Sequence, residues 1–171
     1  MKVFPVKLSI KYVIIFIFLL VFIILFNFFI YIFASTEGNL EIIDYHTKKI
    51  IFSEIVVPGD IFSTLYIHSV EKTPVKEIFL VDNQYRIILS ETHVSSSGAG
   101  LPSQIFGEEK FILKDGNFII NNINRFLPFI PLKVGKNSHN KFFFKETIID
   151  LSSIIGDGLV YIRIRKVENT K

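Results

Sequence analysis

A long apolar stretch near the N-terminus, without any charged residue, most constrains the fold of this chain. Residues 12–34, YVIIFIFLLVFIILFNFFIYIFA, contain no Asp, Glu, Lys or Arg. As a helix rising about 1.5 Å per residue, this stretch would reach roughly 34 Å, which is enough to cross a hydrocarbon core about 30 Å thick. We therefore predict a transmembrane helix over 12–34, a basic cytoplasmic segment over 1–11 and an extracytoplasmic domain over 35–171.

The lysines that precede the apolar stretch predict its orientation. Lys2, Lys7 and Lys11 should stay on the cytoplasmic side and send the rest of the chain outward. A cleaved signal peptide is the alternative, but signal peptides have apolar regions of about 7–15 residues, and cleavage here would use Ile32 and Ala34. We favour a retained single-pass anchor in the cell membrane, which makes the lipid bilayer a partner.

Charge and cysteine content exclude several classes of function. The net charge of +3 comes from the three N-terminal lysines, since the remaining residues carry 16 Lys and Arg against 16 Asp and Glu. A neutral domain lacks the basic surface that nucleic-acid binding requires, so we predict no nucleic acid as partner. The absence of cysteine excludes disulfides, iron–sulfur clusters and thiolate zinc sites. We predict no cofactor, and the domain must be stabilised by its own apolar core.

The region after Asn39 has the pattern of an all-β domain. Short β-branched and aromatic runs alternate with turn residues, and no long segment shows a helical period. We predict nine or ten strands, at 40–45, 49–57, 61–70, 76–81, 85–93, 110–114, 117–121, 126–134, 141–147 and 159–167. Their hairpin spacing predicts an antiparallel β-sandwich or partly closed barrel, preceded by the one transmembrane helix.

Three segments of this region carry more specific signals. Asp115-Gly116 is the strongest hairpin turn. Pro128 and Pro131 cannot donate to a sheet ladder, so 126–134 should be an edge strand or an irregular cover. Residues 35–39, STEGN, read as a short linker, and the segment around 148–158 reads as a helical turn or another strand.

The segment TLYIHSVEKTPVKEIF, residues 64–79, concentrates the polar chemistry of the domain. Alternation in strand 61–70 places His68 on the more polar face, opposite the face that carries Ile61 and Ile67. Pro74 holds the preceding residue in an extended conformation and removes a ladder donor. Residues 70–75 should therefore form a corner.

This corner has three possible roles. It would bring Glu71 and Glu77 toward His68, either as a surface that contacts a ligand or partner or as a hydrogen-bonded structural turn. The third possibility is a metal- or carboxylate-assisted hydrolase, completed by Glu91 and His93. No ligand spacing here is diagnostic of a metal site, so we predict none.

Motifs for nucleophilic catalysis and nucleotide binding are weak. Ser69 and His68 are neighbours on a strand and point to opposite faces, and no G-x-S-x-G elbow occurs. Gly98 and Gly100 lack the third glycine and the following helix of a dinucleotide fingerprint. Their loop could still hold an anion with exposed backbone amides. We predict no catalytic residues and no enzyme activity.

The runs YIHSVEKTPVKEIF, GDIFSTLY and GAGLP resemble a family of uncharacterised small exported proteins encoded beside the fused permeases of TAXI-type TRAP transporters. The resemblance covers about Leu40 to Val167. Its pattern falls on Tyr66, His68, Ser69, Glu71, Thr73, Pro74, Val75, Glu77, Gly98, Gly100, Leu101 and Pro102. It implies a membrane-anchored accessory or binding module whose partner is the transporter permease or its solute-binding protein. A purely structural assembly factor is the alternative within the same context.

Overall fold

A computed structural model describes residues 10–34, 36–95, 107–114 and 116–168. For residues 30–34, 36 and 168 it describes only the backbone. In these ranges the chain forms two helices and twelve strands. Their bounds are α1 (Ile10–Ala34), β1 (Thr36–Asp44), β2 (Ile50–Val56), β3 (Ile61–Ile67), β4 (Pro74–Val81), β5 (Ile87–Val94), β6 (Lys110–Lys114), β7 (Asn117–Asn121), β8 (Arg125–Leu127), β9 (Ile130–Val134), β10 (Lys141–Phe144), β11 (Thr147–Asp150), α2 (Leu151–Ile155) and β12 (Gly158–Glu168).

Helix α1 agrees with the predicted transmembrane segment. Its stretch Ile10–Phe29 has 20 residues with a mean hydropathy of 3.0, and none of that stretch is buried. A helix this long and this apolar could cross a bilayer. The chain divides into two compact units near Gly38, and the second unit, Gly38–Val167, is described by itself below.

The strands form two sheets, which confirms the all-β prediction. The smaller sheet has the order β2-β1-β12-β9, and the larger has the order β11-β10-β3-β4-β5-β7-β6, with β8 pairing with a second stretch of β5. Every pairing with a described register is antiparallel. Pro128 separates β8 from β9, and β9 is an edge strand that contains Pro131. The prediction of an edge strand is therefore confirmed for β9, but the run 126–134 is divided between two strands of different sheets.

Phenylalanine side chains join the two sheets. Phe52 from the smaller sheet lies 5.2 Å from Phe142 of the larger sheet, measured between ring centroids. Phe142 in turn lies 5.8 Å from Phe62, which stacks on Phe79 at 5.0 Å. All four rings are at least nine-tenths buried. Aromatic pairs at these distances add about 0.5–1.5 kcal/mol each to the burial of their area, so this cluster is a major part of the core.

A second contact stabilises the outer side of the smaller sheet. The Glu41 carboxylate of β1 accepts hydrogen bonds from Arg163 Nε and Nη2, at 3.1 and 3.0 Å, and from Arg165 Nε at 2.7 Å. Glu41 is fully covered, whereas the two arginine side chains are about half exposed. Burial raises the pKa of the Glu41 carboxyl, but the arginine hydrogen bonds and charges outweigh burial and hold the pKa below 4.5.

Two details of the sequence prediction were wrong, and a third allowed two alternatives. Strand β1 begins at Thr36, so the predicted linker 35–39 is mostly strand. The run 141–147 is a hairpin whose turn contains Lys145 at a φ of 51°, and this adds the strand β11. The segment 148–158, predicted as a helical turn or another strand, contains both, because β11 leads directly into the short helix α2.

Candidate functional site

A cavity of about 1020 Å³ lies at one end of the strand-rich unit. Both sheets contribute to it, because its lining comes from β3, β4, β5, β8, β9 and β12. Its walls are largely apolar, with Phe79, Leu89, Leu127, Ile130, Leu132 and Val134. Its polar lining includes Tyr66, His68, Ser69, Glu77, Asn140 and Asp157. A concave apolar site with a few polar groups is the usual form of a small-molecule pocket.

The polar groups reach the cavity because the polar face of β3 points inward. On β3, Ile61 is 59% exposed, whereas Phe62 and Thr64 are 1% and 0% exposed. Thr64 lies opposite Glu77 in the β3–β4 register, so the two share this inner face. The predicted alternation is correct, but the polar face is directed toward the core and the cavity.

Glu77 is the most unusual group of the site. It makes no ion pair with any described residue, although its carboxyl lies in a largely apolar cavity. Burial raises the pKa of Glu77, and the nearby Thr64 hydroxyl opposes this effect. The opposition is weak, because Thr64 Oγ1 has no hydrogen bond of standard geometry to any described residue. Burial therefore shifts the Glu77 carboxyl toward its neutral form, and that form can donate as well as accept a hydrogen bond.

Tyr66 lies on the same face as Glu77, two pairs further along the ladder. Burial, and then the negative charge of Glu77, raise the pKa of the Tyr66 hydroxyl to about 12. The phenol therefore stays protonated at any physiological pH. Tyr66 and Glu77 together offer a hydrogen-bonding pair at the polar part of the cavity.

The predicted corner is a hydrogen-bonded turn between β3 and β4. His68 N–H donates to Thr73 O at 2.8 Å, and Lys72 N–H donates to His68 O at 2.9 Å. Lys72 has a positive φ of 56°. The His68 side chain takes part as well, because Glu71 N–H donates to its Nδ1 at 3.2 Å. With Nδ1 as acceptor, a neutral His68 carries its proton on Nε2.

One wall of the cavity is fixed by buried polar contacts. The turn after β9 is tied to the end of β3, because Ile67 N–H donates to Ser138 O at 2.7 Å. Asn140 is 1% exposed, and its N–H donates to Ser152 Oγ at 2.7 Å. Ser152 Oγ in turn donates to Gly135 O at 2.9 Å. These contacts connect the turn to the end of β3 and to α2.

The wall formed by β8 is held less firmly. Strand β8 has three residues and is held to β5 by three residue pairs. Asn122 and Asn124, which precede it, both have positive φ angles, 57° and 48°. Arg125 of β8 lines the cavity with a 60% exposed side chain, and one of its nitrogens lies 3.9 Å from Glu109.

The structure brings together some of the predicted site residues and separates others. Four of them line the cavity: Tyr66, His68, Ser69 and Glu77. Glu71, Thr73 and Pro74 belong to the turn and the start of β4, and they do not line the cavity. Gly98, Gly100, Leu101 and Pro102 lie outside the described residues.

The proposed contribution of Glu91 and His93 was wrong. Glu91 pairs with Ile78 and His93 pairs with Lys76, which places both on the opposite face of the sheet from Glu77. There they form their own contact, with Nε2 of the histidine 2.8 Å from the carboxylate. In the parts of the chain that are described, no three His, Cys, Asp or Glu side chains are grouped to hold a metal ion.

Comparison with known proteins gives a family. The family model "Domain of unknown function (DUF1850)" matches residues 62–151, which is just over half of the chain. The chain belongs to this family. The DUF1850 match begins in β3 and ends at the first residue of α2, so it includes the His68 corner, Glu77, β8, β9 and Asn140. No curated protein and no solved structure matches the chain.

Several lining residues were missed by the sequence analysis. Leu127, Ile130 and Leu132 come from β8 and β9, within the run 126–134 that was predicted only as an edge strand or an irregular cover. The alternation of Ile130, Leu132 and Val134 indicated an inward face. The sequence contains no signal that this face lies opposite Glu77, because the pairing of strands distant in sequence is not written in local patterns.

Proposed function

We propose that this chain is a membrane-anchored extracytoplasmic binding module that holds a small organic molecule in its cavity and serves as an accessory of a solute transporter. The observation that carries the proposal is the 1020 Å³ cavity with Glu77, a carboxyl without an ion-pair partner among the described residues, on an apolar wall. The cavity suits an amphipathic molecule, whose apolar part would contact the leucine and isoleucine walls. Its polar group would bond to Glu77 and Tyr66.

The membrane and transporter parts of the proposal have separate support. Helix α1 is long and apolar enough to anchor the chain, and the N-terminal lysines favour an outward domain. The resemblance of the motif at residues 64–79 to proteins encoded beside TRAP permeases supports a transporter as partner. Tethering raises the effective concentration of a module toward the millimolar range, so weak contacts with a neighbouring permease suffice.

Ligand binding is tested with a pair of matched variants on opposite faces of β4 and β5. Glu77→Gln keeps the shape of the side chain but removes its charge states, whereas Glu91→Gln makes the same change on the outer face. Full-length protein is purified in mild detergent, co-purifying molecules are identified by native mass spectrometry, and their affinities are measured by calorimetry. A hydrogen bond between uncharged groups contributes about 0.5–1.5 kcal/mol, so we expect Glu77→Gln to weaken binding about 2- to 10-fold and Glu91→Gln to leave it unchanged.

Two results would count against this function. If no molecule copurifies and none from a metabolite library shifts thermal unfolding of the wild type, the cavity is not a binding site. Equal effects of Glu77→Gln and Glu91→Gln would show that Glu77 is not the binding group.

Transporter association is tested separately by pull-down from solubilised membranes with the His68→Ala, Glu71→Ala pair, and unaltered association would exclude the corner as the docking surface.

A carboxylate-assisted hydrolase is a second candidate, and one observation favours it. Glu77 and His68 line the same cavity, and a carboxyl with a raised pKa can act as a general acid. This candidate requires turnover of an ester or amide substrate that Glu77→Gln abolishes. Metal analysis of the purified protein tests its metal-assisted form, since that form requires a stoichiometric metal.

A further inference from the structure

The larger sheet ends in two exposed strands with opposite charges. Strands β6 and β11 are its outer members in the described structure. All five residues of β6 are exposed, including the apolar Phe111, Ile112 and Leu113 at 42%, 41% and 64%. On β11, Ile148 is 65% exposed. Unpaired edge strands with exposed apolar side chains are templates for pairing with another chain.

The charges at the ends of the two strands are complementary. Strand β6 reads Lys-Phe-Ile-Leu-Lys over 110–114, and β11 with the residue before it reads Glu-Thr-Ile-Ile-Asp over 146–150. Neither Lys110 nor Lys114 makes an ion pair within the described ranges. Both strands thus carry charges four residues apart around an exposed isoleucine, positive on β6 and negative on β11.

Pairing of like edges is disfavoured by the same charges. Two β6 strands aligned at Ile112, whether parallel or antiparallel, place lysine against lysine at both ends. Two β11 strands aligned at Ile148 place carboxylate against carboxylate in the same way. Like charges directly opposite each other destabilise a strand pair, and opposite charges stabilise it. The favourable combination is β6 of one chain with β11 of another.

Strand direction and side-chain facing agree with this combination. Six antiparallel pairings separate β11 from β6, so the two edges run in the same direction. A row of cross-strand partners also joins Ile112 to Asp150 through Ile119, His93, Lys76, Leu65 and Lys141, which places both ends on the same face. A second copy in the same orientation would therefore continue the sheet with its outer face aligned.

We propose that β6 of one copy pairs in parallel with β11 of a second copy, with Lys110 beside Glu146, Ile112 beside Ile148 and Lys114 beside Asp150. The contact is heterologous, so its repetition forms a ring or an open row of chains. Because every copy keeps the same orientation, the arrangement suits chains anchored in one membrane. A single five-residue strand pair buries less surface than a stable complex in solution requires, so association depends on the shared bilayer.

Cysteine cross-linking tests the pairing in full-length protein in membranes. The chain contains no cysteine, so single substitutions are the only thiols. Ile112→Cys and Ile148→Cys lie at exposed positions and are expected to fold normally. Strands about 4.8 Å apart fall within the Cα separations that a disulfide bridges. Two differently tagged chains, one with each cysteine, should give a cross-linked product on oxidation, at least about tenfold more than either variant alone.

A charge exchange supplies the second test and fixes the strand direction. When every chain carries Lys110→Glu, or every chain carries Glu146→Lys, cross-linking should fall. In each case the proposed pair of residues 110 and 146 changes from opposite charges to like charges. The expected loss in association is about 2- to 30-fold. Mixing the two variants should restore cross-linking. Mixing Lys114→Glu chains with Glu146→Lys chains should not restore cross-linking, because these two residues face each other only if the strands are antiparallel.

Several outcomes would overturn the proposal. Equal cross-linking of Ile112→Cys chains with one another shows that β6 pairs with itself. The absence of any mixed product in membranes shows that the two edges do not meet. Rescue by Lys114→Glu in place of Lys110→Glu shows antiparallel pairing and refutes the arrangement with continuous faces. These results do not depend on ligand binding, so they are independent of the proposed function.

Discussion

Two substitutions at His68 separate the structural role of the corner from its role in the cavity. Nδ1 of the ring accepts the hydrogen bond from Glu71 N–H, and His68 also lines the cavity. His68→Asn places an amide oxygen close to the position of Nδ1 and removes the rest of the ring. His68→Ala removes both. The Asn variant should therefore keep the turn and lose the cavity contact.

The expected magnitudes follow from this single hydrogen bond. The bond is 3.2 Å long, partly buried and formed between neutral groups, so its net contribution is about 0.5–1.5 kcal/mol. For a unit of this size, 1 kcal/mol corresponds to about 3–5 °C in Tm. We expect His68→Ala to lower the free energy of unfolding by about 1 kcal/mol, and His68→Asn to lower it by less than about half of that.

Urea unfolding of the full-length protein in detergent micelles measures these differences. The chain has six tyrosines and no tryptophan, so tyrosine fluorescence reports the transition. Ser69→Ala, at the exposed next position, is the control and should unfold like the wild type. If Ala and Asn at position 68 destabilise equally, the side-chain bond does not stabilise the turn. If Asn also leaves ligand affinity unchanged, His68 has no role in the cavity.

Three further predictions concern charge and packing. The raised pKa of Glu77 stabilises the folded state while the carboxyl is protonated, so the free energy of unfolding should fall as pH rises above 4.5 through the folded pKa. In a series of urea-unfolding measurements at different pH values, Glu77→Gln should reduce this fall. An unchanged pH dependence in the variant would show that Glu77 does not cause it. The lowered pKa of Glu41 has the opposite sign, so its contribution should be lost as pH falls below 4.5. Glu41→Gln should lack this acid loss and cost about 1–2 kcal/mol at pH 7, discounted for the half-exposed arginines. Gly38→Ala should cost about 1–3 kcal/mol, because the new methyl group overlaps the Tyr85 ring; wild-type stability of the variant would show that the ring moves freely.

Local patterns were sufficient to predict most of the strands. Alternation and turn residues predict strands such as β6 and β7, whose Asp-Gly turn has the chemistry that a tight hairpin needs. The turn between β10 and β11 was missed, because Lys145 adopts a positive φ without a glycine, asparagine or proline to mark it. The predicted linker is strand because Gly38 and Asn39 pair with Val56 and Ile55 of β2, and local sequence patterns do not specify that pairing.

The candidate site was predictable only in part. The sequence drew attention to Tyr66, His68 and Glu77, which do share a cavity. It also grouped them with Glu91, although the β4–β5 register pairs Glu77 with Thr92 and so places Glu91 on the other face. The apolar half of the cavity comes from β8 and β9, and their position opposite Glu77 depends on how the two sheets pack, which a single sequence does not specify.

The two walls of the cavity differ in how easily they can yield. Short hydrogen bonds hold the wall that contains Ser138, Asn140 and Ser152. Strand β8, here called the flap, has three residues and pairs only with β5 among the described strands. A molecule larger than the resting entrance would be admitted by displacement of that flap, with Arg125 carried outward. In the proposed binding site, the hydrogen-bonded wall would then limit the size of the molecule, and the position of β8 would vary with it.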